Sequence, residues 1–261
     1  MSVTATYLEK CSEILEKVKA QEKQIQQAAA WFAKSILAGR VVHLFGSGHS
    51  RIMVEEMWPR YGSFPGFNPI VELSLTFHNS VTGSNGQRQA MFLENVTGLA
   101  ERILRNFSLS ENDCALIVSS SGSNIVPIEM AELFQQKKIK TVAIITKEHS
   151  AKSKSKRTDG KKLSDFADLI LDTGAPVGDS MVSINGLETP VSPGSTVGGI
   201  LIVNSIKAEV AKLLTEAGQP PKVLTAAAIV GDEKAKSLFE SAYDEHSERM
   251  AALYTNVGKN K

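Results

Sequence analysis

Five short, nearly uninterrupted apolar runs set what this chain can fold into: 40–45 (RVVHLF), 69–73 (PIVEL), 115–119 (ALIVS), 141–145 (TVAII) and 168–171 (DLIL). A strand with one face in water alternates apolar and polar residues. These runs are rich in Val and Ile and too continuous for that, so they read as strands covered on both faces, as in a parallel sheet. Stretches with helical spacing, such as 125–138, separate most of them. The alternation predicts βαβ units and a three-layer, doubly wound α/β fold around a five-stranded parallel sheet.

Ahead of the first run, Leu8, Cys11, Leu15, Val18, Ile25, Ala29, Phe32 and Ile36 recur at helical spacing, with Glu, Lys and Gln between them. The pattern predicts one long amphipathic helix over 4–38, stopped at Gly39. Its apolar stripe needs cover, from the body of the chain or from a second copy. A Gly/Pro-rich loop over 173–199 leads into a helix at about 196–216, and Ala235, Leu238, Phe239, Ala242, Tyr243 and Met250 mark a last helix. No repeat or linker interrupts the chain. It reads as a single domain, 1–261, with a core at about 39–218 and a helical tail over 219–261.

Composition narrows the class. With 261 residues, 42% of them hydrophobic, the chain can build a substantial core, which excludes intrinsic disorder. Lys and Arg number 29 against 28 Asp and Glu, a balance that argues against a dedicated nucleic-acid binder. No apolar run is long enough to span a bilayer, and the charged N-terminal segment does not read as a signal peptide. Cys11 and Cys114 have no metal-binding or redox spacing, so a reducing cytoplasm is the expected compartment. No His/Cys/Asp cluster has ligand spacing, and neither a metal nor a cofactor is expected. The basic run 147–162 (KEHSAKSKSKRTDGKK) lacks interleaved aromatics and reads as a solvated loop after the fourth strand.

In a doubly wound sheet, ligands bind beyond the carboxyl ends of the strands. The first run passes into Gly46-Ser47-Gly48-His49-Ser50 and the third into Ser119-Ser120-Ser121-Gly122-Ser123-Asn124, each followed by a helical pattern. Glycines allow close backbone approach, hydroxyls donate hydrogen bonds, and a helix N-terminus favours an anion. Each loop alone could equally be a tight turn with a serine cap. Together they suit a phosphate monoester held by hydroxyls and backbone N–H groups. Two rival motifs fit less well. A dinucleotide fingerprint would need glycine where Arg51 stands, although Glu72 could mimic its ribose-binding acid, and no Walker A loop is present.

At these residues the chain resembles the sugar isomerase (SIS) domain family, which pairs a GxGxS turn after the first strand with an SxSGx[ST] loop after a later one. The second loop departs from that pattern at Asn124. The likeness runs over about residues 28–218 and is greatest to the phosphoheptose-isomerase-like branch. It implies a flavodoxin-like sheet, a homodimer and a sugar-phosphate ligand. Substrate-binding positions would be Gly46, Ser47, Gly48 and Ser50 in one loop and Ser119, Ser121, Gly122, Ser123 and Asn124 in the other. A catalytic glutamate lies in an ExxxR stretch in that branch, matched here by Glu56 and Arg60. Pro59 should end the helix near Glu56. The branch also uses a late-helix histidine, and the corresponding segment, 202–207, has none.

Aldose–ketose interconversion moves a proton between C2 and C1 and shuttles protons on the oxygens, work suited to a carboxylate and a histidine. Glu56 is the expected base. His49, inside the glycine loop, and His78, just past the second strand, are the candidate partners. His43 reads as a satisfied core residue, and His149 and His246 as surface residues. The residues 176–180 could form a lid or an ordered connection, and Ser195-Thr196 a cap for the late helix. The expected activity is a sugar-phosphate aldose–ketose isomerase working through an enediol. The alternatives are a phosphosugar lyase or etherase, and a non-catalytic sugar-phosphate sensor.

Overall fold

A computed structural model of the chain describes residues 2–76, 86–255 and 257. His78 lies outside the described residues. Five strands form one sheet: β1 (Val42–Gly46), β2 (Phe67–Pro69), β3 (Cys114–Val118), β4 (Lys140–Ile145) and β5 (Leu169–Asp172). Every neighbouring pair is parallel, in the order β2-β1-β3-β4-β5. Chain order reverses between β1 and β3, whose partners run from Val42↔Cys114 to Gly46↔Val118. That crossover opens a crevice at the carboxyl edge of the sheet.

Eleven α-helices of the described residues accompany the sheet. Before β1 come α1 (Val3–Lys19) and α2 (Glu22–Leu37). Then follow α3 (Arg51–Met57), α4 (Leu73–Thr76), α5 (Gly86–Leu93), α6 (Leu99–Leu104), α7 (Ile125–Gln136) and α8 (Lys147–Lys152). The chain closes with α9 (Ser195–Glu216), α10 (Ala227–Val230) and α11 (Asp232–Tyr254). Side chains alternate across each strand, as pleating requires. Val42, Leu44, Leu116, Val118, Val142 and Ile144 join the core beneath α2, α3 and α9. Phe45, Ala115, Ile117, Ala143 and Ile145 join the opposite core beneath α6 and α7. Both faces are covered, which is why the strand runs lack polar alternation.

Two local expectations are corrected. The single N-terminal helix is two, broken at Ala20–Gln21, where Gln21 leaves helical geometry. The Gln21 amide is used elsewhere: Nε2 donates to the Asp172 carbonyl at 2.8 Å, and Oε1 accepts the Asp172 N–H at 2.7 Å. One side chain thereby pairs the outer edge of β5, a function that helical periodicity cannot reveal. The second strand is Phe67–Pro69 rather than 69–73. Pro69 has no N–H and suits an edge strand, and Leu73 instead opens α4 with most of its side chain in water.

His43 is a satisfied core residue. Asn68 Nδ2 lies 2.9 Å from its Nδ1, Asp113 Oδ2 lies 3.3 Å from its Nε2, and its ring stacks on Phe134. Burial alone would raise the Asp113 carboxyl, but hydrogen bonds from His43, Arg40 and the Ser110 N–H hold it below the usual range. No helix among the described residues is long and apolar enough to cross a membrane.

Candidate functional site

Backbone chemistry brings the two loops together. Gly46 ends β1 at a point where a Cβ atom would meet the Ser50 carbonyl oxygen at 2.6 Å, so no larger residue fits without moving the turn. In the serine loop Gly122 sits at φ +60°, the left-handed region that favours glycine. Its N–H donates to Ser119 Oγ at 3.2 Å, while Ser123 donates its hydroxyl to Ser121 Oγ at 2.8 Å. Because β1 and β3 are hydrogen-bonded neighbours, both loops emerge side by side at the crossover.

Between them lies a cavity of about 210 Å³. Ser47, Gly48, His49 and Ser50 form its wall from the first loop, and Ser120 faces it from the second. Thr173, Asp179, Ser195 and Thr196 close the side beneath α9. Hydroxyls from three strand ends link up there: Ser120 Oγ lies 3.0 Å from Thr146 Oγ1, which lies 2.7 Å from Thr173 Oγ1. Asp179 pins the start of α9, accepting the N–H groups of Gly194 and Ser195 at 2.9 and 2.7 Å and the Ser195 hydroxyl at 2.6 Å. The 176–180 segment is therefore an ordered connection, further tied where the Gly178 N–H donates to His149 Nδ1 at 3.2 Å.

Sequence reasoning missed the carboxylate that joins the two loops. Glu94, just past α5, lines the cavity. Its Oε2 accepts the Ser47 hydroxyl and its Oε1 the Asn124 side-chain amide, both at 2.7 Å, and its carbonyl accepts the Val126 N–H at 2.9 Å. Burial pushes its carboxyl above the ordinary range, against the lowering effect of those two hydrogen bonds. No motif marks Glu94, which stands in the plain helical stretch MFLEN. Only the topology carries it to the crossover. Nothing in the sequence separates Ser120 from its serine neighbours, which differ only in which way the loop turns them.

The structure brings His49, Ser47, Gly48 and Ser50 to the cavity but not Glu56. That glutamate is near the end of α3, which stops at Met57, and its carboxylate accepts from Asn204 Nδ2 at 2.9 Å and from the Arg60 guanidinium. Lys207 Nζ donates to the Glu56 carbonyl at 2.7 Å. Burial raises the Glu56 carboxyl, but the bonds from Asn204 and Arg60 outweigh it and leave the group below its ordinary range. Glu56 borders a separate hollow with Tyr61, Phe239 and Tyr243. Ser119, Ser121 and Ser123 shape the second loop from within, and Asn124 acts on the cavity through Glu94.

The basic run has a structural part as well as a solvated one. The N–H groups of Lys156, within the run, and of Leu163, just past it, both donate at 2.9 Å, to the carbonyls of Ser123 and Gly122, and so buttress the serine loop from behind. Arg157 anchors the run through Glu132 and Asp159. The outer histidine His246 is half-buried against Trp58, with ring centroids 5.2 Å apart, rather than fully on the surface.

The sequence model of the SIS domain matches residues 6–146, a span that contains both loops and Glu94. The chain belongs to the SIS domain family. A UPF0309 protein of Listeria innocua is 31% identical over 253 residues, covering 96% of this chain and 98% of the relative. Another, from Thermoanaerobacter pseudethanolicus, is 34% identical over 233 residues, or 87% and 92% of the two chains. Among solved structures, a phosphoheptose isomerase of Francisella tularensis covers 80% of this chain and 96% of its own, with 14% identity and a TM-score of 0.51. That likeness speaks to the fold: a five-stranded parallel SIS sheet flanked by helices.

Proposed function

We propose that the cavity between the two loops binds a phosphorylated sugar and that this SIS protein is a sugar-phosphate aldose–ketose isomerase working through an enediol. The observation that carries the reading is the convergence of both loops on one cavity at the β1/β3 crossover, joined across it by Glu94. Its wall offers hydroxyls and backbone amides, two carboxylates and an imidazole. Among the described residues no Lys or Arg lines it, so a phosphate ester would be held by neutral donors. The reaction needs a carboxylate and a second proton carrier beside the C1–C2 bond, and Glu94 and His49 face the same space.

Assembly as a homodimer belongs to the same reading. A groove of about 520 Å³ runs between α1, α2 and α9, floored by Leu15, Val18, Ile25 and Leu201. Lys19 and Lys212 rim it alongside Glu22 and Glu209, a mixture of signs that a second copy can match.

A thermal-shift screen against hexose, pentose, heptose and amino-sugar phosphates tests the proposal. At a hundredfold excess over Kd, a ligand that binds only the folded state raises Tm by roughly 5–10 °C for a chain of this size. The shift should shrink in the Ser47→Ala/Ser120→Ala double variant, and the bound sugar should be converted to its aldose or ketose partner. A screen with no responding sugar phosphate overturns the proposal. Binding without conversion leaves a sensor in place of an isomerase.

A further inference from the structure

Isomerisation demands a base that is unprotonated at working pH, basic enough to take a carbon-bound proton, and fixed in the cavity. Glu56 meets the first condition only. Its ion pair with Arg60 and its bond from Asn204 hold it in the weakly basic form, and it borders a different hollow. Asp179 lines the cavity, but both of its oxygens are occupied by the start of α9.

Resting on the sugar-phosphate reading above, we propose that Glu94 is the catalytic base, the group that carries the proton between C2 and C1 of the bound sugar. Its two hydrogen-bond partners, Ser47 and Asn124, are both neutral, and no ion pair to it exists among the described residues. A carboxylate in water owes its weak basicity to solvation. Burial removes part of that solvation, and two neutral donors restore less of it than a cation would. The same two donors come from the tips of β1 and β3, so they fix each oxygen against the two loops expected to hold the ligand. Ser47 and Asn124 are positioning residues in this scheme.

The step balances without a co-reactant. Glu94 takes the C2 proton of the aldose, the C2–H electron pair becomes the C1=C2 bond, and the carbonyl electrons move to O1, which gains a proton. The proton on Glu94 then returns to C1 as O2 gives up its own and the C2 carbonyl forms. His49, in the cavity wall, is placed to pass the oxygen-bound proton between O2 and O1.

The test is solvent exchange. Fructose 6-phosphate, ribulose 5-phosphate and sedoheptulose 7-phosphate are each incubated with the protein in D2O, with deuterium at C1 followed by NMR and binding by calorimetry. Wild-type protein should incorporate deuterium into the ketose it binds, and Glu94→Gln should bind that ketose within threefold while exchanging at least a thousandfold more slowly. Asn124→Ala, which removes a donor to Glu94 from outside the cavity wall, should slow exchange about tenfold with little change in affinity. The wild-type exchange rate should also rise with pH along an acid limb set above the ordinary carboxylate range, a readout that needs no folded variant. His49 and Asp179 are the other titratable groups facing the cavity, and the limb should be missing from any exchange that Glu94→Gln retains. Undiminished exchange in Glu94→Gln overturns the assignment while leaving the sugar-phosphate site intact. Binding of a ketose without wild-type exchange overturns both the base and the isomerase, and binding of none overturns the site itself.

Discussion

The Ser47 hydroxyl donates to Glu94 Oε2 at 2.7 Å, across 47 residues of sequence, and closes the gap between the end of β1 and the segment that follows α5. The contact places a carboxylate where burial favours its protonated form. The sign of the consequence follows. The folded state binds the Glu94 proton more tightly than the unfolded chain does, so the group's contribution to stability is fully present below the ordinary carboxylate pKa of 4.5 and is lost as pH rises through the folded value. Glu94→Gln lacks that titration. Its Tm relative to wild type should therefore climb as pH rises above the ordinary carboxylate pKa of 4.5, measured by calorimetry on both proteins in the same buffers. A difference that stays flat or falls contradicts the desolvated carboxylate.

Asp113 titrates in the opposite direction. Its side chain is fully buried, its oxygens accept from Arg40 Nε at 2.8 Å and Nη2 at 2.9 Å, and its folded pKa is held below the ordinary 3.8. The stability it contributes is present above that value and is lost as pH falls through the folded one. Asp113→Asn should cost about 3 kcal/mol at neutral pH, because it leaves Arg40 without its counter-charge and His43 without its carboxylate acceptor. Urea unfolding at pH 7 checks this, and a loss under about 1 kcal/mol would show that the pair is not structural.

Gly46 tests the first loop by shape alone. A Cβ at this position would lie 2.6 Å from the Ser50 carbonyl oxygen, and that atom belongs to the backbone of the turn. Gly46→Ala should destabilise the fold by about 1–3 kcal/mol and weaken sugar-phosphate binding, since the turn must shift to admit the methyl group. Gly39→Ala serves as the comparison. Unlike Gly46 it sits at a positive φ, but it has open space around it, so its cost should be about 1 kcal/mol, with ligand affinity unchanged.

The groove between α1, α2 and α9 makes the assembly measurable. Sedimentation at micromolar concentration should return twice the 28.2 kDa chain mass, and Leu15→Glu, in the groove floor, should return a single chain with its Tm little changed. A wild-type monomer would rule out the dimer.

By itself, the sequence determined the layers and the two loops that flank the cavity. Four of the five Val/Ile-rich runs are strands of the sheet and the fifth overlaps one only at Pro69, and glycine- and serine-rich ends on the first and third of them mark the two loops beside the cavity. These are local properties, set by side-chain period and backbone freedom, and they were legible before any contact was known. The break at Gln21, the absence of Glu56 from the cavity and the presence of Glu94 in it were not. Each depends on a partner far along the chain: Asp172 for Gln21, Asn204 for Glu56, Ser47 and Asn124 for Glu94. A carboxylate in a helical pattern looks the same whether it faces water or a cavity. Only the crossover of β1 and β3, which no local pattern encodes, decides which one is desolvated and held between the two loops.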